Sequence, residues 1–196
     1  MLQEKLKNHQ IILASGSPRR QQFLKDLEID FEIQLQPVDE VYPDHLKAEE
    51  ITNYLSELKA AAFKQRLQHN DILITSDTIV WHNHHALGKP QSAEHAKLMI
   101  ASLSNDWHDV ISSVSFTTKN KQITKHFTTK VHFKELTIEE IDYYVTNYNP
   151  IDKAGAYGIQ EWIGLIGIDK IKGSYFNVVG LPTHIVYETL IALTKP

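Results

Sequence analysis

The chain contains no cysteine among its 196 residues. This absence excludes disulfide bonds, thiolate metal ligands and cysteine nucleophiles, and it favours a reducing compartment, so we expect a cytoplasmic location. Long apolar runs are missing too, since no segment approaches the roughly 18 residues that a membrane helix needs. The polar N-terminal segment is followed by too short an apolar run for a signal peptide. We therefore expect a soluble protein without a membrane partner.

An excess of positive charge is also missing, because the formal net charge is −4 at pH 7. Proteins that coat nucleic acid neutralise its phosphates with a basic surface. We therefore expect no nucleic-acid partner, and any binding of phosphate must be local.

No repeat, low-complexity tract or long linker divides the chain. We expect residues 1–196 to form a single domain with two lobes and a proper core.

Predicted strands and helices alternate along the chain. A capping box of Thr137 and Glu140 predicts one helix start, and an apolar stripe predicts another helix. With two long β-rich stretches that read as an antiparallel pair, the alternation predicts a mixed α/β sheet. The predicted strands are 11–13, 31–35, 72–74, 110–118, 123–133 and 166–171. The predicted helices are one that starts at Pro18, 48–67, 93–103, 137–148 and one that follows Gly180-Leu181-Pro182 and ends at Leu193. The apolar stripe of helix 48–67 is Ile51, Leu55, Leu58 and Ala62.

The most informative segment runs from Ile11 to Leu24 and reads IILASGSPRRQQFL. A short apolar strand is followed by small residues that let a ligand approach the backbone, and then by Pro18 at the first position of a helix that Ser17 caps. A helix N-terminus favours anions, and Arg19 and Arg20 add guanidinium donors there. Cations in a first turn do not help the helix itself. The segment predicts a phosphate site, with a plain surface turn as the alternative.

Acidic and basic side chains suited to phosphate chemistry follow later. Asp77 comes after the apolar run 72–74, so we expect it at the carboxyl end of a strand, where open α/β folds bind ligands. Thr78 adds a hydroxyl, and a hairpin through residues 82–85 would return Lys89 towards Asp77. Lys59 lies on the predicted helix 48–67 beside its apolar stripe. Taken singly, each of these residues also fits a turn, a cap or a solvated flank.

Two further clusters are ambiguous. His82, His84 and His85 have the spacing of a zinc cluster, but a hairpin tip offers no partners to orient the imidazoles, so we reject zinc. The segment 151–160 reads IDKAGAYGIQ, in which polar residues alternate with small ones. It fits a ligand wall that includes Gln160, or a tight loop entering a strand.

Seven segments of the chain together resemble the Maf family of nucleoside triphosphate pyrophosphatases, and the likeness spans nearly the whole sequence. The resemblance implies an α/β fold of two lobes around a deep cleft, similar to inosine triphosphate pyrophosphatases, and a homodimer. In chain order the segments are ASGSPRR, Asp39-Glu40, Lys59-Ala60, SDTIV, LGKP, DKAGAYGIQ and GSYFNVVGLP.

The resemblance also implies a role for individual residues. Asp77 matches the proton acceptor of the family. Three positions match those associated with base choice: Arg19, Thr78 and Gln160. Five match positions that hold phosphate or metal: Ser15, Arg20, Glu40, Lys59 and Lys89. The segments DTIV and DKAGAYGIQ resemble the subgroup that acts on dTTP and UTP.

The implied reaction is hydrolysis between the α- and β-phosphates, with water as the nucleophile. A free aspartate has a pKa of about 3.9 and is a weak base near neutral pH, so Asp77 needs help. We expect Mg²⁺ or Mn²⁺, with Glu40 and Asp77 as oxygen ligands. Two alternatives stay open: a nucleotide-sensing regulator of cell division that does not hydrolyse its ligand, and a house-cleaning enzyme for modified nucleotides.

Overall fold

The computed structural model describes residues 1–194, which divide into two compact units. The first unit contains Met1–Asp77, Ser112–Phe127 and the chain from Gly180 onward. The second unit contains Thr78–Ile111 and Thr128–Val179. The prediction that residues 1–196 act as a single domain stays a prediction. No helix within the described residues is long and apolar enough to cross a membrane.

The strands confirm the predicted mixed sheet. Their order is β2-β1-β3-β5-β6-β7, and β4 pairs with β3. Strand β1 runs parallel to β2 and β3, whereas the β3–β4 and β6–β7 pairs are antiparallel. Within residues 1–194 the strands are β1 (Gln10–Leu13), β2 (Glu32–Ile33), β3 (Asp71–His82), β4 (His85–Leu87), β5 (Trp107–Thr117), β6 (Gln122–Phe133) and β7 (Ile168–Lys172).

The helices follow most of the predicted starts. Ser17, Ser92 and Thr137 each cap a helix with the side chain, and the predicted capping box of Thr137 and Glu140 is confirmed. In the described chain the helices are α1 (Leu2–Leu6), α2 (Pro18–Asp26), α3 (Glu49–Ala61), α4 (Ala93–Leu103), α5 (Ile138–Tyr148), α6 (Trp162–Gly167), α7 (Tyr175–Val179) and α8 (Thr183–Leu193). Two short 3₁₀ turns, Pro150–Asp152 and Ala154–Ala156, follow α5.

Both faces of β1 and β3 are covered in the first unit. Leu13 and Ile74 pack in one apolar cluster, which includes residues of α1 and α8, while Ile12 and Leu73 pack in another cluster with residues 60–67. A strand that is buried on both faces reads as a continuous apolar run, which is why the sequence of these strands does not alternate. The second unit has its own core, built from α4, α5, β6 and the segment 156–163.

Several predicted boundaries are wrong for physical reasons. Strand 31–35 shrinks to Glu32–Ile33, because β2 lies at the sheet edge. Helix 48–67 ends at Ala61, since Phe63 and Leu67 turn back into the apolar cluster of Ile12; Ala62 is exposed and does not belong to the buried stripe.

The glycine-rich region near the C-terminus also departs from prediction. The expected strand 166–171 begins only at Ile168, because residues 162–167 form α6. Gly164 lets this helix approach the preceding chain closely, since a Cβ there would lie 1.9 Å from the carbonyl oxygen of Ile159. Helix α1 lies in the polar N-terminal segment, where no element was predicted; Leu2 and Leu6 are its buried residues.

The predicted hairpin after β3 is confirmed. Val80 pairs with Leu87 and His82 with His85. The two turn residues, Asn83 and His84, have φ of 48° and 65°, the left-handed conformation of the two-residue turns that suit hairpin twist.

Glycine is required at position 155 of the second unit. Its φ is +67°, and a Cβ there would lie 2.6 Å from Cγ2 of Val80. We expect Gly155→Ala to lower the free energy of unfolding by about 1–3 kcal/mol, measured by urea denaturation. Gly88→Ala is the matched control, because nothing lies within 4 Å of its Cβ position. Equal losses in the two variants would contradict this packing.

Candidate active site

The turn between β1 and α2 has the predicted helix start. Ser17 Oγ accepts a hydrogen bond from Arg20 N at 3.5 Å, and Pro18 occupies the first turn. Ser15 is buried, and its Oγ accepts a hydrogen bond from Ser17 N at 3.2 Å. The small residues at 14–17 therefore form a compact turn at the carboxyl end of β1.

Arg20 is anchored to the backbone. Its Nε donates to the carbonyl oxygen of Gly180 at 2.9 Å, and Nη1 donates to that of Ser76 at 2.8 Å. Burial lowers the pKa of Arg20, the nearby carboxylates of Asp77 and Glu40 oppose this change, and the charge of Arg19 reinforces it. Arg20 is therefore a fixed positive charge, bonded to the carbonyl oxygen of Ser76, the residue before Asp77. Its neighbour in the sequence, Arg19, is half-buried.

Asp77 lies inside β3 and does not end it, so its predicted position at a strand terminus is wrong. The strand continues to His82 because residues 80–82 pair with β4. The carboxyl end of a strand nevertheless lies nearby, on the neighbouring strand β1. Leu13, the last residue of β1, pairs with Ile74, so Asp77 lies three positions beyond the carboxyl end of β1.

Lys59 joins two carboxylates. Its Nζ lies 2.6 Å from Asp77 Oδ1 and 3.1 Å from Glu40 Oε1. The Asp77 side chain is only 9% exposed and that of Lys59 17%, whereas that of Glu40 is 51% exposed. A nearby cation offsets part of the cost of burying a carboxylate. The first unit thus brings together Glu40, Lys59 and Asp77, three of the predicted site residues.

Hydroxyl groups fix α3, which carries Lys59, against the sheet. Thr52 Oγ1 lies 2.6 Å from Ser113 Oγ, and one turn later Ser56 Oγ lies 2.9 Å from Ser115 Oγ. Thr75 Oγ1 also donates to the carbonyl oxygen of Ser56 at 2.7 Å. Because buried hydroxyls must find partners, these contacts favour one register of α3. Sequence reasoning missed them, although Thr52 and Ser56 have the spacing of one helix face.

The other predicted site residues belong to the second unit. Thr78 follows Asp77 on β3 and is half-buried, whereas Lys89 and Gln160 are exposed. The carbonyl oxygen of Gly88, next to Lys89, accepts a hydrogen bond from Gly155 N at 3.1 Å. The approach of Lys89 and Gln160 to Asp77 stays a prediction.

The histidines at the hairpin have other partners. His82 Nε2 lies 3.0 Å from Asp106 Oδ2, and His85 Nδ1 lies 2.7 Å from the carbonyl oxygen of Asn83. A further histidine, His108, is buried with its Nε2 2.7 Å from Tyr157 Oη, and burial lowers its pKa to about 3. Within residues 1–194 no group of three or more histidines or carboxylates could hold a metal ion.

Glu40 and Asp77 could hold a divalent cation that takes further oxygen ligands from elsewhere. Mg²⁺ takes one or two protein carboxylates and completes its shell with phosphates and water. The two carboxylates already converge on one positive charge, the ammonium of Lys59. The donor set therefore fits Mg²⁺ or Mn²⁺ where other oxygen ligands complete the shell.

Comparison with known proteins identifies the family. Residues 10–193 match the Maf family, described as Maf-like protein. The chain is 64% identical over 190 residues to the dTTP/UTP pyrophosphatase of Christiangramia forsetii, which covers 97% of each chain. It is 61% identical over 193 residues to the protein of that name from Flavobacterium johnsoniae, covering 98% of this chain and 100% of the relative. The chain belongs to the Maf family.

Solved structures show a more distant likeness. The Ham1 protein of Staphylococcus aureus has a TM-score of 0.48 at 16% identity and covers 92% of this chain and 99% of its own. A nucleoside-triphosphatase, or dITP/XTP pyrophosphatase, from Mycobacterium abscessus has a TM-score of 0.43 at 14% identity, covering 94% and 96%. These similarities are too distant to transfer any property of a site.

The contact between Lys59 and Asp77 can be measured by a double-mutant cycle. We expect Lys59→Met to lower the free energy of unfolding by about 1–3 kcal/mol, because it leaves Asp77 without its cation in a site that is partly open to water. In the Asp77→Asn background the same change should cost less, with a coupling energy of about 1 kcal/mol or more. Urea denaturation gives each value.

Lys64→Met is the control for this cycle, because Lys64 is an exposed lysine shortly after α3. Its replacement should leave stability within about 0.5 kcal/mol of the parent. Strictly additive effects of Lys59→Met and Asp77→Asn would show that the two side chains do not interact in solution.

Proposed function

We propose that this protein hydrolyses dTTP and UTP to the nucleoside monophosphate and pyrophosphate. Membership of the Maf family and the names of the relatives that are 64% and 61% identical support this activity. The observation that carries the proposal is the buried carboxylate of Asp77 held by Lys59 beside Glu40. This arrangement provides a base, a cation and a second oxygen ligand at one place in the chain.

Asp77 is the proposed proton acceptor for the attacking water. The ion pair with Lys59 places a cation 2.6 Å from Oδ1 of this largely buried carboxylate. It also fixes the direction of the carboxylate, because α3 is held to the sheet by hydroxyl contacts. An oriented base contributes more to catalysis than a mobile one, since the reacting geometry is prepared in advance.

A divalent cation is the proposed cofactor, with Glu40 and Asp77 as its protein ligands. When bound, it would lower the pKa of a coordinated water and neutralise phosphate oxygens. The residues themselves supply the remaining positive charge. Arg20 contributes a fixed charge next to the strand of Asp77, and we assign Arg19 and Lys89 to the triphosphate and the departing pyrophosphate.

Gln160 is the proposed residue for base choice. Its carboxamide offers an acceptor and a donor group that match N3–H and O4 of uracil or thymine. A flipped amide would match cytosine equally well, so the orientation of the side chain must be controlled. Arg19 and Thr78 are assigned to the same task on the strength of the family resemblance.

Release of pyrophosphate from a panel of nucleotides tests the activity. The panel contains dTTP, UTP, CTP, the purine triphosphates and modified pyrimidine triphosphates, each with and without Mg²⁺ or Mn²⁺. We expect dTTP and UTP to react fastest and only with metal. Faster release from a modified nucleotide would support house-cleaning, and binding without release would support a sensing role. The homodimer and the cytoplasmic location stay predictions.

Lys89 provides a test of the charges around the phosphates. Lys89→Ala should lower kcat/KM for UTP by about tenfold or more, because one cation facing the triphosphate is lost, while the protein stays folded by circular dichroism. The exposed Lys119, in the turn between β5 and β6, supplies the control variant Lys119→Ala. A loss below twofold in Lys89→Ala would remove Lys89 from its assigned role.

A further inference from the structure

The second unit contains a polar network that the proposed reaction does not use. Lys153 is buried, and its Nζ lies 3.2 Å from Glu161 Oε1 and 2.6 Å from Asp152 Oδ1. The other carboxylate oxygen of Glu161, Oε2, accepts a hydrogen bond from Tyr144 Oη. Tyr144 Oη in turn accepts one from Gly158 N at 3.0 Å. Both oxygens of Glu161 are therefore held.

Residues of this network flank Gln160 in the sequence. Gly158 precedes Gln160 by two residues and Glu161 follows it directly. Tyr144 comes from α5 and has no exposed surface, so it anchors the segment from the core. The segment also contacts the hairpin that carries Lys89, through the hydrogen bond from Gly155 N to the carbonyl oxygen of Gly88.

The carboxylate of Glu161 and the carboxamide of Gln160 both lie next to Gly158. At the place where Gly158 would carry a Cβ, Gln160 Nε2 and Glu161 Oε2 are each 3.0 Å away, and Glu161 Cδ is 2.8 Å away. Both groups thus pack over the bare Cα of Gly158. A negative carboxylate attracts the NH₂ end of an amide and repels its oxygen, so this neighbour favours one of the two amide orientations.

The favoured orientation has a chemical consequence. With the NH₂ group turned towards Glu161, the amide oxygen of Gln160 lies on the other side and acts as a hydrogen-bond acceptor. N3 of uracil and thymine carries a hydrogen that such an acceptor can bind, whereas N3 of cytosine is itself an acceptor. Two facing acceptors repel each other, which provides the rejection that specificity requires.

The protonation of Tyr144 is consistent with its role as a donor. Burial raises the pKa of Tyr144 far above its usual value, and the hydrogen bond to Glu161 acts in the same direction. The phenol therefore keeps its proton near neutral pH and holds the carboxylate.

We propose that Glu161, held by Tyr144 and Lys153, is a positioning residue that orients the carboxamide of Gln160 and so sets the preference for uracil and thymine over cytosine. The inference rests on the proposed function, because it concerns the base that this site selects. Glu161 acts through Gln160 and is not assigned a contact with the substrate.

Two variants test the proposal. Glu161→Gln keeps the size of the side chain and removes its charge, and Tyr144→Phe keeps the ring and removes the hydroxyl. Each should lower the ratio of kcat/KM for UTP to kcat/KM for CTP, by about tenfold for Glu161→Gln and by less for Tyr144→Phe. The change should appear mainly in KM for UTP. A loss of folding stability alone lowers both rates together and leaves the ratio unchanged.

The chain offers a matched control for each variant. Glu139→Gln and Tyr143→Phe change exposed residues of α5 and should keep the parental ratio. Circular dichroism shows which variants fold. If Tyr144→Phe does not fold, the ratio measured with the isosteric variant Glu161→Gln decides. A parental ratio in folded Glu161→Gln would overturn the inference, as would a parent that hydrolyses UTP and CTP equally. A parent that releases no pyrophosphate from UTP or dTTP would instead overturn the proposed function, on which the inference rests.

Discussion

The ion pair between Lys59 and Asp77 is the interaction on which the first unit's candidate site depends. A carboxylate that is 9% exposed would be costly without a cation 2.6 Å away. That cation reaches it because hydroxyl contacts at Thr52 and Ser56 fix α3 against the sheet. Arg20, bonded to the carbonyl oxygen of Ser76, adds a second positive charge beside the same strand. The fold thus holds a largely buried carboxylate against a cation, and this is the carboxylate that we propose as the base in the hydrolysis of a nucleotide.

The parts that could be predicted from sequence are those with local causes. The turn from β1 into α2, the capping box of Thr137 and the hairpin at Asn83 each depend on residues a few positions apart. The length of β3 was missed because Thr75, Ser76 and Asp77 interrupt its apolar run, and polar residues normally mark a strand end. Two of these three are satisfied by distant partners, Thr75 by the carbonyl oxygen of Ser56 and Asp77 by Lys59. Such contacts have no signature in a single sequence.

The family resemblance named candidate residues for the site, and the structure shows the contacts that hold some of them. Glu40, Lys59 and Asp77 are brought together in the first unit, whereas Arg20 is occupied with backbone carbonyls. In the second unit Gln160 and Glu161 lie over the same glycine, Gly158, and both carboxylate oxygens of Glu161 are bonded. Neither the hydrogen bonds of Arg20 to backbone carbonyls nor the partners of Glu161 could be predicted from the sequence, because each contact joins elements that are far apart along the chain.

The most direct measurement of the central claim is the turnover of Asp77→Asn with UTP under saturating metal. The account predicts that kcat falls by about a hundredfold or more, because the amide cannot accept the proton of the attacking water. The affinity for uridine monophosphate, measured by calorimetry on the same preparation, should change little in comparison. If the variant turns over as fast as the parent, Asp77 is not the base, and the role given to its contact with Lys59 is wrong.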